Sequence, residues 1–264
     1  MNSIQRVFVA IVVLVLPWTT SWGQDGHKIA TQIAPTGTLR VVINLGNPIL
    51  ARQDSPASQP TGVSADLAHA LAKRLNLPLV LIPVTSAAQS VETVTRGDAD
   101  IGFFAIDPIR GHGIAFTPAY VVIEGGYLVK SSSPLSRNEE VDQTPHTVVV
   151  GKGSAYDLFL TRELKNAKLI KVPTSPEVVP FFLSGDYDVA AGVKQQLEMD
   201  AKRFAGLRLL PGRFMRIEQA MGQPKTSSAS AQAELAKFIS EMKSNGFVEN
   251  SLKRHQIEGA VVAP

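Results

Sequence analysis

The sequence predicts an α/β protein of two lobes, each a mixed, mostly parallel sheet flanked by helices, with a ligand cleft between them. Three observations carry this expectation. From Leu39 onward, short β-branched runs alternate with helical stretches, as in strands crossed over by helices. The series strand, helix, strand, helix, strand occurs twice, each time with a glycine shortly before its last strand, Gly97 and then Gly185. After Arg213 the pattern crosses back toward the first series. Ligands of doubly wound sheets sit outside the carboxyl ends of strands, so two facing lobes enclose a site.

Arg40-Val41-Val42-Ile43 is the first expected strand, broken by Asn44-Leu45-Gly46-Asn47-Pro48, and the Ser/Gln/Pro-rich stretch from Gln53 to Pro60 is a surface loop. Ser64 or Asp66 is the expected cap of a helix whose Leu67, Leu71 and Leu75 form one apolar stripe, ended by Asn76 and Pro78. Leu79 to Ile82 forms the second strand, Val91 to Thr95 a short helix closed by Gly97, and Asp100 to Phe104 the third strand. A loop with Asp107, Pro108 and Arg110 follows. Phe116 to Tyr120 then leads into Gly125-Gly126-Tyr127-Leu128-Val129.

The second series starts with a strand from Thr147 to Val150, the turn Gly151-Lys152-Gly153-Ser154 and a helix from Ala155 to Leu164. Strand Leu169 to Val172, helix Glu177 to Leu183 and strand Tyr187 to Ala191 complete it. A long amphipathic helix, Ala231 to Asn245, stops at Gly246.

Arg6 precedes the apolar run Val7 to Leu16, Pro17 ends that run, and Ser21 and Gly23 are the small residues read by a signal peptidase. Residues 1–23 are therefore expected to be a cleaved export signal, with no membrane insertion afterwards, because the run is about half the roughly 20 residues of a spanning helix. The chain has no cysteine, which excludes a disulfide framework and a lipid-modified cysteine anchor. Its net charge of +3 is scattered along the chain, unlike the footprint of a nucleic-acid binder. No paired carboxylates or metal-ligand clusters occur at motif spacing, and the five histidines are dispersed. No catalytic residue, cofactor or metal is expected.

The segments Gly37-Thr38-Leu39-Arg40-Val41-Val42-Ile43, Gly62-Val63-Ser64-Ala65-Asp66-Leu67-Ala68, Arg96-Gly97-Asp98-Ala99-Asp100-Ile101, Asp107-Pro108-Ile109-Arg110 and Phe116-Thr117-Pro118-Ala119-Tyr120 come in a telling order and spacing. Together with Gly151-Lys152-Gly153-Ser154, Gly185-Asp186-Tyr187-Asp188 and Lys243-Ser244-Asn245-Gly246, they resemble family 3 extracellular solute-binding proteins. These are amino-acid-type receptors of ABC importers with the type II periplasmic binding protein fold. The resemblance implies a monomeric, non-enzymatic periplasmic receptor that closes on a small anionic molecule and is recognised by a membrane permease. Lobe 1 is expected at residues 37–126 plus 220–264 and lobe 2 at 127–219, with two crossing strands as the hinge.

On this resemblance Arg110 grips the ligand carboxylate, as the planar, permanently charged guanidinium allows; a surface arginine paired with Asp107 is the plain alternative. Ser154 opens a helix whose N–H groups suit an anion, or simply caps that helix. Asn47 lies where the family approaches its ligand, although turn chemistry before Pro48 also explains it. Phe104 and Ala105 end the strand before Arg110, Phe104 also reading as a core aromatic. Glu124 offers an acceptor near the first hinge or a structural salt bridge.

Three positions depart from an amino-acid receptor. Ala105 stands where a hydroxyl residue is usual, and Gly46 replaces a flanking aromatic. The stretch Asp188 to Lys194 brings Lys194 instead of the acid that neutralises an α-ammonium. These point to a carboxylate without an ammonium, unless Glu124 or Glu218 supplies the missing acid. The alternative class is a periplasmic enzyme of the cyclohexadienyl dehydratase type, with Glu124 as its general acid.

Overall fold

The computed structural model describes residues 22–264; the expected export signal lies outside them except for residues 22 and 23. The elements in order are α1 (Trp22–Ile33), β1 (Leu39–Asn44), α2 (Val63–Leu75), β2 (Leu79–Val84), α3 (Ala87–Thr95), β3 (Gly102–Ala105) and β4 (Ile114–Lys130). Then come β5 (Thr147–Gly151), α4 (Ala155–Glu163), β6 (Lys168–Val172), α5 (Val178–Ser184), β7 (Val189–Val193) and α6 (Lys194–Arg203). The chain closes with β8 (Leu207–Leu209), β9 (Met215–Pro224), α7 (Ala229–Ser244), α8 (Phe247–Arg254) and β10 (Val261–Val262).

The two alternating series fold alike. β1 runs parallel to β2, and a parallel bridge from Val41 to Ile101 ties it to the start of β3. β5 likewise lies parallel between β6 and β7. In each series the first strand is therefore central. Hydrophobic β-branched strands buried on both faces are what such parallel cores require, and Val41, Val42 and Ile43 in β1 and Val148, Val149 and Val150 in β5 are all at 0% exposure.

Two long strands join the halves. β4 and β9 pair antiparallel from Ile114 and Pro224 to Gly125 and Met215, with irregular register around Ala119. β4 then continues against β7 and β8, while β9 pairs with β3 at its other end. Apolar packing separates in the same way. Leu39, Leu67, Tyr120, Leu235 and Phe238 belong to one large core, whereas Tyr127, Val148, Tyr156 and Leu160 belong to another on the far side of the crossing strands. A fully buried aliphatic or aromatic side chain contributes about 1.5–3 kcal/mol.

The structure departs from expectation at particular elements. α2 is capped by Gly62, not by Ser64 or Asp66. Ser64 instead reaches the Tyr120 hydroxyl at 3.4 Å, and Asp66 accepts hydrogen bonds from Ser251, Arg254 and His255 of α8 and its C-cap. α3 begins at Ala87 rather than Val91, because the Ser86 hydroxyl caps it by accepting from Gln89 N at 3.3 Å. β7 lies two residues later than expected and runs into α6 without a loop. α1, α6, β8, α8 and β10 have no counterpart in the expected elements. No helix among the described residues is long and apolar enough to cross a membrane.

Candidate ligand-binding site

The carboxyl ends of β1 and β3, the start of α4, the end of β7 and the crossing strand β9 converge on one cleft with about 570 Å³ of space not filled by protein atoms, part of it open to solvent. Arg110 opens a short 3₁₀ turn after β3 and enters this cleft with 5% of its surface exposed. Its Nη1 donates to the Ala105 carbonyl at 3.1 Å and its Nη2 to the Gly153 carbonyl at 2.8 Å. One side chain thus ties together backbone from both halves of the chain.

A guanidinium has five N–H donors. The protein supplies two neutral carbonyls, and among the described residues no carboxylate lies within ion-pair distance of Arg110. Asp107 does not play that part, since its Oδ2 takes Arg162 Nη1 at 2.9 Å and its Oδ1 takes the Ile109 N–H at 2.8 Å. Burial pushes the Arg110 pKa down to about 10, partly opposed by the charge of Asp107, so the group remains cationic near neutral pH. A buried positive charge without a counter-ion is costly, and an anion in the cleft relieves that cost.

Ser154 lines the cleft and caps α4, its Oγ accepting from Asp157 N at 3.0 Å. Asp157 reaches back to accept from Gly153 N at 2.8 Å and pairs with Lys171 at 2.8 Å, so the first turn already carries a carboxylate. Gly153 itself takes a positive φ of 70° and sits against Ala88 of α3, where an added Cβ would come within 2.9 Å. Glycine there permits the close approach of the two halves.

Asn47, Phe104 and Ala105 also line the cleft. Asn47 Oδ1 is buried without a hydrogen-bond partner. Phe104 packs edge-on against Phe116 in an apolar cluster, so its aromatic ring serves the core. Ala105 contributes its carbonyl to Arg110. Gly46 lines the cleft as well, and a Cβ on it would stand 2.5 Å from the Thr85 carbonyl oxygen, which explains why no aromatic occupies the position.

Glu124 and Lys194 are not among the residues that line the cleft. β7 extends to Val193, so Lys194 starts α6, packs over Gly126 and directs Nζ to Glu124 Oε2 at 3.5 Å. Glu124 Oε1 is held by Arg213 at 2.8 Å. Glu218 is exposed, while its neighbours Ile217 and Gln219 face the cleft on the alternate positions of β9. Neither acid lines this cleft, and among the described residues no acidic side chain does.

Sequence reasoning missed Tyr156, Ser175, Val193 and Gln219, which line the cleft with Arg110. Tyr156 is buried in the second core, and burial raises its pKa, partly offset by the nearby Ser175 and Ser154 hydroxyls. The period of two in β9 was the available signal for Gln219.

Two halves of like topology, joined by paired crossing strands around a cleft, define the type II periplasmic binding protein fold. Residues 39–256 match bacterial extracellular solute-binding proteins, family 3, and the chain belongs to that family. The solute receptor for L-cysteine of Neisseria gonorrhoeae superposes with a TM-score of 0.75 at 22% identity, covering 87% of this chain and 94% of that one. The amino acid ABC transporter substrate-binding protein AbpA from Streptococcus pneumoniae, bound to L-arginine, gives 0.72 at 20% identity, covering 84% and 95%. These likenesses show the fold. Membrane-bound lytic murein transglycosylase F of Aeromonas hydrophila subsp. hydrophila is 25% identical over 180 residues, 66% of this chain. The chain spans about a third of that relative's length, as the match covers 34% of it.

Proposed function

We propose that this protein is a periplasmic receptor that captures a small carboxylate-bearing metabolite lacking an α-ammonium group and presents it to the permease of an ABC importer. The observation that carries the reading is Arg110, a buried cation in the cleft with two neutral carbonyl acceptors and, among the described residues, no carboxylate partner. A ligand carboxylate supplies the charge, and the bidentate geometry of guanidinium with carboxylate supplies orientation. An α-ammonium would find neutral acceptors such as Asn47 but, among the described residues, no acid in the same cleft, and would be desolvated without a counter-charge. Residues 37–126 plus 220–264 form one lobe and 127–219 the other in this proposal, and the receptor acts as a monomer after its leader is cleaved. Membership of the family supports the transport role. The dehydratase alternative loses its general-acid candidate, because Arg213 and Lys194 engage both Glu124 oxygens outside the cleft.

Calorimetry with pentanoate, 2-oxopentanoate and L-norvaline, one side-chain length with three α-substituents, tests the reading. Both carboxylates without an amine should bind and norvaline should not. Arg110→Met should weaken binding of the two acids about 100-fold, the scale of leaving a charged hydrogen-bonding group unpaired. Preferential binding of norvaline, or acid binding indifferent to Arg110→Met, overturns the proposal.

A further inference from the structure

Behind Gly46, Asn47, Tyr156, Ser175 and Val193 the cleft adjoins a second, narrow chamber, whose roughly 300 Å³ of space outside protein atoms includes open solvent. Val178, Val179 and Leu197 form its apolar wall, and Gln196 and Asp200 of α6 supply its polar groups. Asp200 is 9% exposed, and no cation lies within ion-pair distance among the described residues. Its Oδ2 accepts from Gln196 Nε2 at 3.2 Å, which leaves Gln196 Oε1 buried without a donor. Asn47 Oδ1, in the wall shared by the two chambers, is likewise without a donor. The chamber therefore gathers three acceptors, the Asp200 carboxylate and two amide oxygens, without a protein donor for the amide pair.

Buried acceptors left without donors cost free energy, and a buried carboxylate without a cation costs more. An ammonium group offers three donors and one positive charge. We propose that this chamber is a second subsite for the same ligand, taking a terminal ammonium group while Arg110 holds the carboxylate, so that the ligand is an ω-amino carboxylate. The apolar wall covers the methylenes between the two charged ends. Burial raises the Asp200 pKa, with Gln196 and the charge of Arg203 opposing, and a cation beside it would lower it again. The proposal rests on the carboxylate reading of Arg110 and extends it, since the amine is absent from the α carbon and present at the far end.

The test is calorimetry on the full protein with butanoate, pentanoate and hexanoate against 4-aminobutanoate, 5-aminopentanoate and 6-aminohexanoate. At least one amino compound should bind about tenfold or more tighter than its unsubstituted partner, in line with a desolvated charge pair. Asp200→Asn should erase that gain and leave the unsubstituted acid within about twofold of wild type. Gln196→Leu, read in the same way, should reduce the gain and guards against misfolding of the first variant. Unsubstituted acids that bind through Arg110 with no gain from the amine, or a gain that survives both substitutions, overturn the subsite and leave the carboxylate reading standing. Failure of every acid to bind wild type overturns both.

Discussion

Nη1 of Arg162, on α4, donates to Oδ2 of Asp107 at 2.9 Å, joining the second half of the molecule to the loop that carries Arg110. Asp107 is buried and spends its other oxygen on the Ile109 N–H, so this contact also shapes the turn that aims the guanidinium. Arg162 is partly exposed, and the pair is therefore a modest, salt-sensitive clasp between the two halves.

Arg162→Ala should raise the apparent dissociation constant on the order of three- to tenfold by reducing the closed population before ligand arrives. Calorimetry at low and high salt checks this: wild-type affinity should fall with salt more than that of the variant. Equal affinities of the two proteins at low salt would show that the clasp does not bias closure.

Val193 stands in the cleft where the neighbouring lysine was expected. Val193→Asp should admit α-amino acids, because a carboxylate there meets the α-ammonium while Arg110 holds the other end. L-Norvaline binding should appear, and pentanoate binding should weaken at least about fivefold by like-charge repulsion. Unchanged discrimination between the two probes would place the ligand's α carbon elsewhere.

Gly46→Phe tests whether the aromatic wall is missing for want of space. The added Cβ meets the Thr85 carbonyl oxygen at 2.5 Å and the Asn44 Oδ1 at 2.9 Å. Urea denaturation should show a loss of about 1–3 kcal/mol, as for overpacked sites. A neutral variant with stronger binding of aromatic acids would contradict this.

Asp66 links α2 to the end of the chain. Burial raises its pKa, but hydrogen bonds from Ser251, Arg254 and His255, together with the charge of His255, outweigh burial and hold it below the ordinary carboxylate value. A carboxylate lowered on folding adds stability that is complete above its unfolded pKa, about 3.9, and is lost as pH falls through the folded value. The stability gap between wild type and Asp66→Asn in urea should therefore hold near pH 5 and shrink steadily below about pH 4. A gap that persists undiminished to about pH 2 would assign the effect to packing instead.

The repeated strand and helix series was legible because its strands are runs of buried β-branched residues, and α2 and α7 carry plain apolar stripes. α6 was not, since Leu197 is its one buried apolar side chain and most of its other residues are polar. That omission propagated into the site. With β7 placed two residues early, Lys194 fell at the mouth of the cleft, whereas the actual strand turns it toward Glu124 and presents Val193. Arg110, Asn47, Ser154 and Ala105 were legible from their places after strands and in the glycine turn. Tyr156 was not, and its meeting with Gln219 depends on how a helix start and a crossing strand face each other across 63 positions of chain, a relation that the period of two in β9 does not encode.

The ladder between β4 and β9 constrains any opening of the molecule. From Val122 and Glu218 to Gly125 and Met215 the two connections are bonded to one another, so neither slides without its partner. A bonded ribbon bends and twists more readily than it shears, so relative motion of the two halves is rotational rather than sliding. In the receptor proposed above, occupancy would thereby be converted into an angle, and substitutions that stiffen this ribbon should slow exchange of solute while the walls of the pocket stay untouched.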